Sequence, residues 1–268
     1  MLEDYSQDYS SSITKFEEML KTSLTYFFDA QEIEFIALHY IDFGKINLAK
    51  KVIKIGNRQH PSNISILLLK SEILILEDKY QSAKQILSFI HKIEPNNQDA
   101  YIQKANILSK LKKHEKSIEI LRECLKHSEY KFEIWQMIAM EFLTICEFKK
   151  AMVYFKLCIK NEPNDHQVLY NLIYCIDNIG CYKEGVKILS EVLEKDPYNE
   201  LVWLELGKLY LQINNKTKAL IAIDYAILCD DKFSAAYVEK AKLLQKNKNF
   251  LIAIENYQFS LTLEPPSA

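Results

Sequence analysis

Glycine and proline are scarce in this chain, with five and six residues among 268. Average proteins carry about 7% and 5% of them. Both residues interrupt helices, glycine through its backbone freedom and proline through its missing amide donor, so their scarcity predicts an all-α fold. Arginine is nearly absent too: Arg58 and Arg122 stand alone, and removing them from 34 basic residues leaves 32 lysines. Lysine is a point charge without the bidentate fork that reads base edges, and the net charge is -2. Sequence-specific nucleic-acid readout is therefore not expected. No apolar run approaches the ~20 residues of a membrane helix. The longest, Ile64 to Leu76, is broken by Ser65, Lys70, Ser71 and Glu72. Met1 to Ser12 is acidic and polar, unlike an export leader. The six cysteines contain no C-x-x-C pair and read as reduced thiols, so a cytoplasmic location is expected.

Catalytic constellations are missing as well. Gly44, Gly56, Gly180, Gly185 and Gly207 form neither G-x-G-x-x-G nor a phosphate-binding loop. The six histidines include no H-E-x-x-H, and the pairing of Cys175 with Cys181 lacks a neighbouring histidine. Acidic doublets such as Glu17-Glu18 and Asp230-Asp231 suit solvated helix faces or turns. The expectation is a protein with no catalytic residue, no cofactor and no metal.

What the chain has is a period. Pro61, Pro95, Pro163, Pro197 and Pro265 lie on one lattice of spacing 34, with Glu129 and Asp231 at the two remaining nodes. Taking proline as position 32 gives seven frames without insertion: 30–63, 64–97, 98–131, 132–165, 166–199, 200–233 and 234–267. Position 20 is small in every frame: Ala49, Ala83, Ser117, Ala151, Gly185, Ala219 and Ala253. Position 8 is small in six, and Ile173 is the exception. Bulky residues hold positions 4, 11 and 24. Positions 4, 8 and 11 form one helical stripe and positions 20, 24 and 27 another, so each frame reads as a helix-turn-helix hairpin whose small residues let two backbones approach.

In these columns the chain resembles the tetratricopeptide repeat family, of the bacterial cytoplasmic array type. Frame six carries the pattern best, with Trp203, Leu206, Gly207, Tyr210, Ala219, Ile223 and Ala226. The resemblance implies an α-solenoid of seven repeats wound into a right-handed superhelix, with the first helix of each hairpin lining an inner groove for protein ligands. On that basis positions 2, 5, 9, 12 and 13 face a ligand. The candidate peptide-binding residues are Leu68, Ile102, Asn106, Met140, Tyr170, Asn171, Tyr174, Leu204 and Lys208. The carboxylate-clamp pattern of chaperone-tail binders does not run in register here, so an extended or helical segment with apolar side chains is the expected ligand.

The ends carry further expectations. Residues 1–12 read as a flexible acidic segment whose Leu2, Tyr5 and Tyr9 could fill the groove as a pseudo-ligand. Residues 13–29 read as a capping helix with a stripe at 13, 16, 20, 24, 27 and 28. No equivalent cap follows the seventh hairpin. Three readings stay open there: a terminal hairpin made soluble by Lys240, Lys242, Lys246 and Lys248, docking on a second subunit, or descent from a longer array. The expected role is a non-catalytic scaffold for a protein or peptide partner. An accessory subunit docking or self-associating through the C-terminal hairpin is the alternative, and RNA binding by helical repeats the third. No membrane partner is expected.

Overall fold

The computed structural model describes residues 2–22 and 25–263, with side chains from residue 11 onward. Among these residues the regular structure is all helix. The first helices of the hairpins are α2 (Ala30–Asp42), α4 (Ile64–Leu76), α6 (Gln98–Lys110), α8 (Phe132–Thr144), α10 (His166–Ile179), α12 (Glu200–Gln212) and α14 (Ser234–Lys246). The second helices are α3 (Ile46–Gln59), α5 (Tyr80–Ile93), α7 (His114–Leu125), α9 (Phe148–Asn161), α11 (Tyr182–Leu193), α13 (Lys216–Cys229) and α15 (Phe250–Leu263). Each set starts every 34 residues, at positions 1 and 17 of the frames. This is an all-α helical-repeat solenoid. No described helix is long and apolar enough to cross a membrane.

The chain divides into two compact units, residues 1–128 and 129–268. The first holds α1 (Leu2–Thr22) and three hairpins, and the second holds four. In the first unit Phe16 and Met19 of α1 are buried against Phe28, Ile33, Ile36 and Tyr40. α1 begins at Leu2, earlier than the expected 13, because no glycine or proline interrupts that stretch. It also stops at Thr22, and residues 25–29 run without helix to the Asp29 cap. The buried stripe uses Phe16 and Met19, whereas Leu20 and Phe27 are exposed. Leu24 and the side chains of Leu2, Tyr5 and Tyr9 lie outside the described residues, as does Pro265.

Two local devices recur with the period. At position 34, Asp29, Asn63, Asn97, Asp165 and Asn199 cap the following helix, each side chain accepting the backbone N–H three residues on. Asn199 is buried and also donates to the Asn164 side chain at 2.7 Å and the Pro163 carbonyl at 3.3 Å, tying two hairpins together. At position 15 the backbone turns left-handed in every hairpin: Gly44, Asp78, Lys112, Cys146, Gly180, Asn214 and Lys248 all have φ between 57° and 75°. The turn closes the first helix, as where Gly44 N–H donates to the Ile41 carbonyl and Lys45 N–H to the Tyr40 carbonyl. Only two of these seven residues are glycine, although a side chain there opposes the left-handed backbone by about 1–2 kcal/mol.

Small residues at positions 8 and 20 set the closeness of each hairpin. A Cβ on Gly207 would lie 2.8 Å from Ile223 Cγ1 and 3.3 Å from the Ala219 carbonyl oxygen. The fifth frame departs from this. With Ile173 at position 8, α10 packs chiefly on α9 and α11 chiefly on α12, and the two helices of that hairpin approach one another least. The Ile176 side chain fills the gap: a Cβ on Gly185 would meet its Cδ1 at 2.9 Å.

Turn residues give opposite expectations. Lys112→Gly should stabilise the chain by up to about 1 kcal/mol, because relief of the left-handed strain exceeds the added freedom of the unfolded chain. Gly180→Ala should destabilise it by about 1 kcal/mol. Urea unfolding of both variants checks the signs, and equal signs would refute the strain argument.

Candidate functional site

The groove residues expected from sequence fall into two groups. Leu68, Ile102 and Asn106 lie in the first unit, and Met140, Tyr170, Asn171, Tyr174, Leu204 and Lys208 in the second. Burial separates them further. Leu68 is 9% exposed and Leu204 only 2%, so both belong to the core rather than to a binding face. Position 5 also faces the adjoining hairpin, and there a compact aliphatic side chain is drawn into the packing. Lys208 is committed as well: its ammonium donates to the buried Glu205 carboxylate at 2.8 Å.

An exposed cluster remains on α8 and α10. Met140, Tyr170 and Tyr174 are 41%, 50% and 53% exposed. The Asn171 amide reaches the Met140 sulfur at 3.6 Å, bridging α10 to α8, and its oxygen accepts from the Gln167 amide at 3.4 Å. Tyr174 is steadied from the side by Phe148, their rings meeting edge to face at 5.9 Å. Two exposed tyrosines and a methionine offer large apolar area at low entropic cost, the chemistry of a protein contact.

The corresponding face of the first unit has a different character. Glu72, at position 9, is half-buried, and its carboxyl is pushed above the ordinary range by burial first and then by Asp42 and Asp99. Those two acids occupy positions 13 and 2 of the flanking frames. Between Leu68 and Ile102 the face therefore carries negative charge, with Asp42 and Asp99 adding to the Glu72 that position 9 shows.

No group of three or more histidine, cysteine or acidic side chains among the described residues is arranged to hold a metal. The buried thiols are chemically quiet. Burial pushes Cys158 up to about 12, with Asp165 adding to it, and Cys175 up to about 11, with Cys181 adding. A thiol so rarely ionised is a poor nucleophile.

Two expectations follow from these shifts. Because the folded chain holds the Glu72 proton more tightly than the unfolded chain, its contribution favours folding at low pH and is lost as pH rises through the raised value. Glu72→Gln should therefore raise the melting temperature at about pH 7, and the gain should fade below about pH 4; a gain constant with pH would exclude the linkage. Alkylation at about pH 8, followed by mass mapping, should label exposed Cys146 in the native protein and reach Cys158 and Cys175 only after unfolding.

Comparison with known proteins places these observations. A tetratricopeptide repeat model matches residues 98–128, the third hairpin. Bovine BBSome complex member BBS4 is 23% identical over 193 residues, which is 72% of this chain and 37% of that protein. The ER membrane protein complex subunit 2 of Xenopus tropicalis is 21% identical over 231 residues, 83% of this chain and 78% of its own length. The chain thus spans well under half of the bovine relative. One chain of the solved APC/C hetero-tetramer Cut9–Hcn1 shares the fold with a TM-score of 0.50 at 14% identity, over 97% of this chain and 50% of that one. The third hairpin thus matches the tetratricopeptide repeat, and helices start in phase with it across all seven frames.

Proposed function

We propose that this chain is a non-catalytic scaffold that holds an apolar segment of a partner protein against the Met140–Tyr170–Tyr174 face. The observation that carries the reading is the exposure of these three large side chains on two helices that Asn171 and Met140 bring together. Burying such a cluster supplies about 25 cal/mol per Å² of apolar area, enough for one or two anchor residues to dominate a contact. BBS4 and the ER membrane protein complex subunit 2 are by name members of assemblies, which supports a role among protein partners. Free cysteines fit a reducing compartment such as the cytoplasm.

A second reading rests on α15. Leu251 is 80% exposed, and Phe250, Ile254 and Leu261 are also largely exposed, while only Ala253 and Ser260 of this helix are buried. The lysines expected to solubilise the last hairpin sit on α14 or in the turn after it and leave α15 apolar. This face suits docking on a neighbouring subunit.

The two readings separate by mutation. Tyr170→Glu/Tyr174→Glu should abolish cross-linking of a partner to a photoreactive residue placed at Met140, with the helical melt unchanged. Leu251→Lys/Leu261→Lys should leave that cross-link intact but abolish any concentration-dependent gain in mass during sedimentation. Loss of the cross-link only with the second pair would move the functional surface to α15.

A further inference from the structure

Between α3 and α4, within the first unit, lies a cleft of about 370 Å³. Its floor is apolar, made by Ile53, Ile73 and Leu74. Its walls carry five cations, Lys50, Lys54, Arg58, Lys70 and Lys79, against one carboxylate, Glu77. That carboxylate is spoken for. Lys50 pairs with Glu77 Oε1, and Lys79 donates to Glu77 Oε2 at 3.0 Å, so one end of the cleft is a closed Lys–Glu–Lys network. At the other end Lys54, Arg58 and Lys70 have no acidic partner among the described residues.

The repeat itself provides the control. Lys54 stands at position 25 of the first frame and Lys70 at position 7 of the second. In the second unit the same two positions of consecutive frames are Asp224 and Lys240, whose Oδ1 and Nζ lie 2.8 Å apart. There position 25 stands against position 7 of the next frame at ion-pair distance, and opposite charges meet. In the cleft both of these positions are lysine, and Arg58 stands four residues further along the same stripe of α3. Position 7 is a buried aliphatic residue in four frames, Ile36, Ile138, Leu172 and Leu206, and a lysine in three, Lys70, Lys104 and Lys240. Three cations without an acidic partner, lining one side of a cleft, favour a bound anion that supplies the missing negative charge.

We propose that this cleft is a binding site for a small organic phosphate, the oxyanion held by Lys54, Arg58 and Lys70 and the apolar body seated on Ile53, Ile73 and Leu74. The guanidinium supplies a two-pronged contact to the oxyanion and the ammonium groups supply charge. The cleft lies in the size range of small-ligand sites, and its floor distinguishes an organic phosphate from the bare ion. The site is formed by a second helix and the next first helix, so it is separate from the α8–α10 face and does not depend on that reading.

Isothermal titration of the full chain with phenyl phosphate tests it. One saturable site is expected, weakened by added salt and tighter than for inorganic phosphate. Arg58→Gln and Lys70→Gln should each weaken binding about tenfold or more, while Lys126→Gln, outside the cleft, should leave it unchanged. Lys54→Asp should abolish binding and raise the melting temperature, since the new carboxylate re-creates the pair seen between Asp224 and Lys240. Absence of saturable binding, or equal binding by the Arg58 and Lys70 variants, would overturn the proposal. So would binding of phosphatidate-containing vesicles without binding of phenyl phosphate, which would mark a membrane-surface patch. The two glutamine variants keep the test decisive even if Lys54→Asp fails to fold.

Discussion

The close approach of two helix backbones at positions 8 and 20 is the constraint on which the rest of the molecule depends. Where both positions carry at most a methyl or a hydroxymethyl group, the helices of a hairpin come near enough for their bulky neighbours at 4, 11 and 24 to interlock. The stacked rings of Trp203 and Tyr225, with centroids 4.7 Å apart, join position 4 to position 26, and Tyr237 and Phe259 repeat the pairing at the same separation one period later. The recurrence of the same two columns in contact permits one frame to be compared with another. Departures from the standard are then informative: Ile173 opens a hairpin, and Lys54 leaves Lys70 without its counter-charge.

Charge is distributed by this architecture in a way that bulk composition conceals. A net charge of -2 suggests an even surface. Yet the first unit gathers Asp42, Glu72 and Asp99 on the exposed face of its first helices, while its unpaired cations gather between α3 and α4. The second unit offers tyrosine and methionine where the first offers carboxylates. One scaffold therefore presents surfaces of different chemistry, each set by substitutions at a few outward positions over an unchanged core.

Much of the fold was legible in the sequence because the period is enforced column by column. Proline or an acid at position 32 and a small residue at position 20 recur in every frame, in phase with the helix starts. The left-handed turn at position 15 was not legible, since Asp78, Lys112, Cys146, Asn214 and Lys248 lack the glycine signature and are held there by the packing of the helices they join. The groove was read only partly. Position 5 looks both to a ligand and to the adjoining hairpin, and Leu68 and Leu204 turned inward, whereas the larger, half-polar Tyr170 stayed out. The basic cleft left no local signal, because it arises from position 25 of one frame meeting position 7 of the next, residues 16 apart in sequence and on different helices.

The opened fifth hairpin redraws the energetic boundaries of the second unit. Since α10 leans on α9 and α11 on α12, the glycine turn at Gly180 joins two packing neighbourhoods instead of closing one. Cooperative unfolding within this unit should break at that turn, half a period out of step with the sequence repeat. A fragment cut between residues 180 and 181 would keep both neighbourhoods whole, whereas one cut at a frame edge would strip α11 of α12.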